Sequence, residues 1–111
     1  MKSNLFISSK EIEWEEVGTG VRRQILGYDP ELMMVRVVFE KGAVGALHSH
    51  VHRQVSYVES GLFEITIGGE KKNLTKGDCF FVPPGVEHEA HALENGCLID
   101  IFNPVRDDFL S

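Results

Sequence analysis

Short runs of Val, Ile, Leu and Phe recur along this chain, separated by polar segments that carry glycine or proline. Residues 32–40 (LMMVRVVFE), 55–59, Leu62–Ile67, Cys79–Val82 and 97–102 are each short and rich in β-branched or aromatic side chains, and each predicts a strand. Gly68-Gly69, between LFEITI and EKKNL, signals a tight hairpin, and Gly77-Asp78 and Pro83-Pro84-Gly85 mark turns on either side of CFFV. No segment carries a helical stripe longer than about two turns. Strands at spacings of about 8–12 residues favour a β-sandwich or barrel over an α/β layout. Within LMMVRVVF nearly every position is apolar, so this strand is expected to be buried on both sides or to have its outer face covered by a second subunit. A homodimer follows from the second option.

At 111 residues there is room for one domain, spanning residues 1–111, and a composition of 42% hydrophobic and 25% charged residues is that of a globular protein. Seventeen acidic against eleven basic residues give a net charge of -6, which opposes binding to nucleic acid or to an anionic membrane. The first ten residues hold only three consecutive apolar positions, too few for a signal-peptide core or a membrane span, so a cytoplasmic location is expected. Cys79 and Cys97 lie in apolar stretches without a CxxC spacing and are expected to be reduced thiols in or near the core.

The five histidines are clustered: His48, His50 and His52 in one stretch, His88 and His91 in another. On an extended chain alternate side chains share a face, so His48 and His50 point together and Gln54 has their parity. His88, just past the Pro83-Pro84-Gly85 turn, is placed to return toward this pair as a third imidazole. Three imidazoles and an amide oxygen suit a divalent transition metal. His52 and His91 gain nothing from this argument. His52 falls in the turn toward residue 55, and His91 has parity opposite to His88.

Residues 98–102 (LIDIF) place a carboxylate inside an apolar strand, where an unpaired charge is costly. Parity puts Asp100 on one face with Leu98 and Phe102. If that face lines a cavity, desolvation raises the carboxyl pKa and makes Asp100 a group able to transfer protons. Arg106 follows the Asn103-Pro104 turn. In a chain this acidic, a guanidinium that grips a carboxylate through two parallel hydrogen bonds offers the local cation an anionic ligand needs.

These features resemble the cupins, in two motifs. The first runs Gly42, five residues, His48, one, His50, three, Gln54, six, Gly61; the second runs Gly77, five, Pro83, one, Gly85, two, His88. Gln54 stands where the family commonly has a glutamate ligand, and Ala92 where an asparagine often closes the second motif. Three neutral imidazoles and a neutral amide would leave the ion's charge unbalanced and strongly electrophilic.

HSHVHRQVSYV, IGGEKKNLTKGD, PPGVEH and DIFNPVRDDFL narrow the resemblance to the small cupins of pectin and alginate breakdown. This resemblance implies a single-domain, all-β double-stranded β-helix, or jelly-roll barrel. It also implies metal-dependent ring opening of 4,5-unsaturated monouronates to linear keto-deoxyuronates. His48, His50, Gln54 and His88 would hold one divalent ion (nickel, zinc, iron or manganese), and Asp100, Phe102 and Arg106 would form the catalytic and substrate-binding group. Two other readings are an iron-dependent cupin dioxygenase, which would consume oxygen, and a non-catalytic cupin that binds a sugar acid unaltered.

Overall fold

The computed structural model describes all 111 residues. Ten strands account for most of the ordered chain: β1 (Glu15–Gly18), β2 (Val21–Asp29), β3 (Leu32–Phe39), β4 (Val44–His48), β5 (Arg53–Ser60), β6 (Leu62–Ile67), β7 (Glu70–Thr75), β8 (Cys79–Val82), β9 (His88–Ala92) and β10 (Gly96–Asn103). A single helical turn, α1 (Asp107–Leu110), follows β10. The strands form two antiparallel sheets, one of six in the order β1-β2-β3-β10-β5-β8 and one of four in the order β4-β9-β6-β7. The two-sheet layout agrees with the β-sandwich or barrel favoured by the spaced turns, and it is the jelly roll that the resemblance to the cupins implies. The five strands read from the apolar runs are all present, and β7 completes the Gly68-Gly69 hairpin, whose two glycines sit at φ +55° and +86° as a primed turn requires.

β1, β2, β4 and β9 lack an apolar run, and their strand character comes from pairing. β2 reads VRRQILGYD, yet it pairs along β3 from Val21 opposite Phe39 to Asp29 opposite Leu32. Its polar Gln24 is buried because the amide is satisfied on both ends. Its nitrogen donates to the carbonyls of Ser9 (2.8 Å) and Ile12 (2.9 Å), and its oxygen accepts from Arg36 (2.9 Å).

The inner faces of both sheets meet in a core around Val58, Phe63, Ile65, Val82 and Leu98, with Phe39 and Phe63 edge to face at 5.2 Å. A second cluster of Met33, Val35, Phe102 and Val105 lies farther along β3 and β10. β3 departs from expectation: Met33, Val35 and Phe39 are buried, but Leu32 is 54% and Met34 39% exposed, so the strand is not enclosed on both sides within one chain. Its apolar outer positions belong to a row running across four strands, Met34 opposite Ile101, Ile101 opposite Val55, and Val55 opposite Phe81. Cys97 is buried as expected. Cys79 is exposed, because its parity on β8 is opposite to that of the buried Phe80 and Val82.

Gly61, between β5 and β6, combines φ +87° with a close approach to the chain opposite: an added Cβ would lie 2.6 Å from the Asn95 carbonyl oxygen and 2.6 Å from Gly96 Cα. Both neighbours are backbone and cannot rotate away. Gly61→Ala is therefore expected to lower unfolding stability by about 2 kcal/mol or more, from the left-handed conformation and the clash together. Urea denaturation measures this; a midpoint equal to wild type would contradict it.

Candidate metal centre

The three imidazoles come from separate places and are brought together by backbone pairing. His48 ends β4 and His88 opens β9, and the two are directly paired across the second sheet. His50 lies beyond the end of β4, where residues 49–52 bend toward β5, so its alignment with His48 comes from this bend and not from strand alternation. The Pro83-Pro84-Gly85 turn is tied to the same bend, with the Gly85 N–H donating to the His50 carbonyl at 2.8 Å. Ring centroids are 4.2 Å apart for His48 and His88, 4.8 Å for His50 and His88, and 5.6 Å for His48 and His50. One ring nitrogen of each lies within 4.8 Å of the others.

Each ring has its Nδ1 beside a backbone carbonyl: His48 with Ala46 (2.7 Å), His50 with His52 (3.0 Å) and His88 with Val86 (3.0 Å). A carbonyl only accepts, so all three Nδ1 atoms carry the proton, and every neutral ring presents the Nε2 lone pair. Nε2 of His88 is buried and has no partner in the protein. Nε2 of His50 faces Oε1 of Gln54 at 3.0 Å, while the Gln54 amide nitrogen donates to Ser56 Oγ at 2.9 Å. Burial lowers the pKa of His50, and burial, followed by the neighbouring rings and Arg106, brings that of His88 down to about 4. Both rings are thus neutral at pH 7, and two acceptors confront each other at His50 and Gln54. A cation among these lone pairs resolves the conflict and supplies the missing partner of His88. The donor set fits a divalent transition metal.

Beside this set lies a cavity of about 490 Å³, lined among others by His48, Gln54, His88, Asp100, Phe102 and Arg106. Asp100 is opposite Ser56 in the β10–β5 ladder, and the Ser56 hydroxyl donates to its Oδ1 at 2.6 Å. Asp100 is half-buried, and the protein atoms crowded around its carboxyl desolvate it; this desolvation, partly offset by the Ser56 hydrogen bond and the Arg106 charge, pushes its pKa up to about 6. Arg106 is buried instead of solvated. Its guanidinium stacks 4.2 Å over Phe109 and 5.1 Å from the Phe102 ring centroid. Nε and Nη2 donate to the two carboxylate oxygens of Asp108 at 3.1 and 2.9 Å, a contact that holds the Asp108 carboxyl below its usual range. Nη1 makes no hydrogen bond to the protein, and with the second Nη2 hydrogen it forms an edge available to a second carboxylate.

All seven residues singled out in the sequence therefore meet around one cavity or its rim: His50 touches the lining set through Gln54, and the other six line it. His52 packs beside Phe102 and His50, 6.5 and 5.4 Å between ring centroids, and His91 is half-exposed, 4.0 Å from Glu64. Ser56, Asp108 and Phe109 were not anticipated. Ser56 carried a faint signal, a polar residue sharing the inward parity of Gln54. The roles of Asp108 and Phe109 depend on how the chain folds back after Pro104, which periodicity does not encode.

The chain belongs to the cupin family, whose cupin domain matches residues 35–102. Within it, the chain closely resembles KdgF: it is 46% identical over 102 residues to the pectin degradation protein KdgF of Dickeya dadantii, covering 90% of this chain and 93% of that one. The structure of KdgF from Halomonas sp. superposes with a TM-score of 0.91 at 42% identity, covering 96% and 99% of the two chains. An RmlC-like cupin from Shewanella frigidimarina superposes at 0.95 with 48% identity over 97% of each chain. No helix is long and apolar enough to cross a membrane.

Because the native Asp100 carboxyl retains a proton between about pH 4 and 6 that the unfolded chain has lost, its ionisation costs native stability as pH rises through that window. Asp100→Asn removes this cost. Its unfolding free energy should exceed wild type on the order of 2 kcal/mol at pH 7.5, with the gain vanishing near pH 4. Urea melts at the two pH values test this, and an equal gain at both would contradict it.

Proposed function

We propose that this protein opens the ring of 4,5-unsaturated monouronates released during pectin or alginate breakdown, giving linear 4-deoxy-5-keto uronates. The observation that carries this reading is that one cavity combines converging imidazole lone pairs, a carboxyl poised near neutrality and a guanidinium with one edge free. The resemblance to KdgF supports the substrate class.

His48, His50 and His88, with Oε1 of Gln54, would hold one divalent ion, nickel, zinc, iron or manganese. When bound, such an ion supplies a Lewis-acidic centre that stabilises negative charge developing on substrate oxygens. The free edge of Arg106 grips the substrate carboxylate, capturing an anion that the net charge of -6 would otherwise repel. Phe102 and Leu98 form apolar walls that orient the sugar and limit water. Asp100 uses Oδ1 to accept from Ser56, leaving Oδ2 to exchange protons with the substrate. It takes the proton of the anomeric hydroxyl as the ring C–O bond breaks and an aldehyde forms, and returns one to the alkene carbon as the enol becomes a ketone. The net change is an isomerisation, with no water or oxidant consumed. A pKa near 6 suits a group that must both accept and release a proton near neutral pH.

In the outer row Met34, Val55 and Phe81 are exposed around the half-buried Ile101, and a second copy of the chain is the proposed cover of this apolar strip, making the protein a homodimer. Two unpaired thiols suit a reducing compartment, and the cytoplasm is the proposed location.

Turnover is followed by the loss of the conjugated-alkene absorbance of an unsaturated monouronate. Asp100→Asn should lower kcat at least about 100-fold while still binding metal, the usual scale for a lost general acid–base. Arg106→Ala should raise KM about tenfold or more, as expected when a charge-assisted carboxylate contact is lost. Wild-type turnover by Asp100→Asn would remove that carboxyl from the reaction, and wild-type protein that leaves the absorbance unchanged would sink the proposal.

A further inference from the structure

Ser56 lies wholly buried between two of the groups just described, and neither the metal set nor the proton-transfer step uses it. On β5 it is flanked across the sheet by Asp100 on β10 and Phe80 on β8, so Asp100 is its polar neighbour on one side and an apolar ring fills the other. Its hydroxyl has one proton. That proton is directed to Asp100 Oδ1 at 2.6 Å, and the oxygen then accepts from the Gln54 amide nitrogen at 2.9 Å. A hydroxyl whose proton is committed can only accept from its other partner. Gln54 must therefore turn its nitrogen toward Ser56 and its oxygen toward His50, where Oε1 stands 3.0 Å from Nε2.

We propose that Ser56 is a positioning residue for the metal centre: it fixes the amide of Gln54 with the oxygen facing the ion, and it does so because Asp100 holds its proton. The same chain of donors accounts for glutamine at position 54. A glutamate has no N–H to give, so two carboxylates would compete for one hydroxyl proton, whereas glutamine satisfies Ser56 and still offers an oxygen. Without the serine hydroxyl the amide can rotate and present its nitrogen, a donor that repels a cation. The inference rests on the metal reading of the histidine set.

The test measures zinc affinity of the metal-stripped full chain by competition with a chromophoric chelator, in wild type, Ser56→Ala, Gln54→Ala and the double variant. Urea denaturation of each metal-free protein reports folding separately. Ser56→Ala should bind zinc about tenfold more weakly, within the range seen when a residue that orients a metal ligand is lost. The double variant should bind no more weakly than Gln54→Ala alone, since Ser56 acts through that amide. Ser56→Thr, which keeps the hydroxyl, should restore affinity to within about twofold of wild type. Wild-type affinity in Ser56→Ala, or the same further loss when Gln54 is already alanine, would overturn the assignment. Independently of any variant, the Gln54 side-chain amide protons of wild type should be protected from hydrogen exchange, and rapid exchange would overturn it as well. Failure of wild type itself to bind zinc would overturn the metal reading, a result distinct from either.

Discussion

The site depends on three imidazoles being tied by Nδ1 to carbonyls only two residues away: His48 to Ala46, His50 to His52, and His88 to Val86. Each tie is local, made at a strand end for His48 and His88 and in the bend after β4 for His50. Together they fix the tautomer of every ring and leave three Nε2 lone pairs converging on one volume. Convergence itself is a matter of sheet geometry. β4 and β9 pair His48 against His88, and the Gly85 N–H on the His50 carbonyl draws the bend at residues 49–52 against the proline turn.

Charge is managed by the same economy of partners. The donor set contains no carboxylate to offset the charge of a bound ion, and the Asp100 carboxyl is linked to that set by hydrogen bonds through Ser56 and Gln54. Burial holds Asp100 near neutrality in proton affinity while keeping it distinct from the donor set. Arg106 is stiffened by stacking on Phe109 and by the Asp108 carboxylate, which occupies one edge of the guanidinium and leaves the other. A preset guanidinium loses less freedom on gripping a ligand.

Apolar runs and glycine turns made the central strands and the β-only architecture legible, because burial and turn conformation act directly on residue type. β2, β4 and β9 were not legible: Gln24 is buried by hydrogen bonds that span the chain, and HEAHA is a strand only because β4 and β6 lie on either side. The candidate ligands were legible by type and spacing, but His50 joins the cluster through the bend at residues 49–52 and not through the strand parity that pointed to it. Asp100 stood out as a charge in an apolar strand. Ser56 did not, since a serine among strand residues is unremarkable until the register sets it against Asp100. β3 misled in the other direction, its continuous apolar run marking an exposed sheet face as well as a core.

The arrangement is tested most directly by nitrogen-15 NMR of the histidine rings in metal-free protein at pH 7.5, followed by addition of one equivalent of zinc. His48, His50 and His88 should each show a protonated Nδ1 and an unprotonated Nε2, and all three Nε2 resonances should shift together on zinc addition while those of His52 and His91 stay in place. A protonated Nε2 on any of the three, or a shift confined to one ring, would contradict the account.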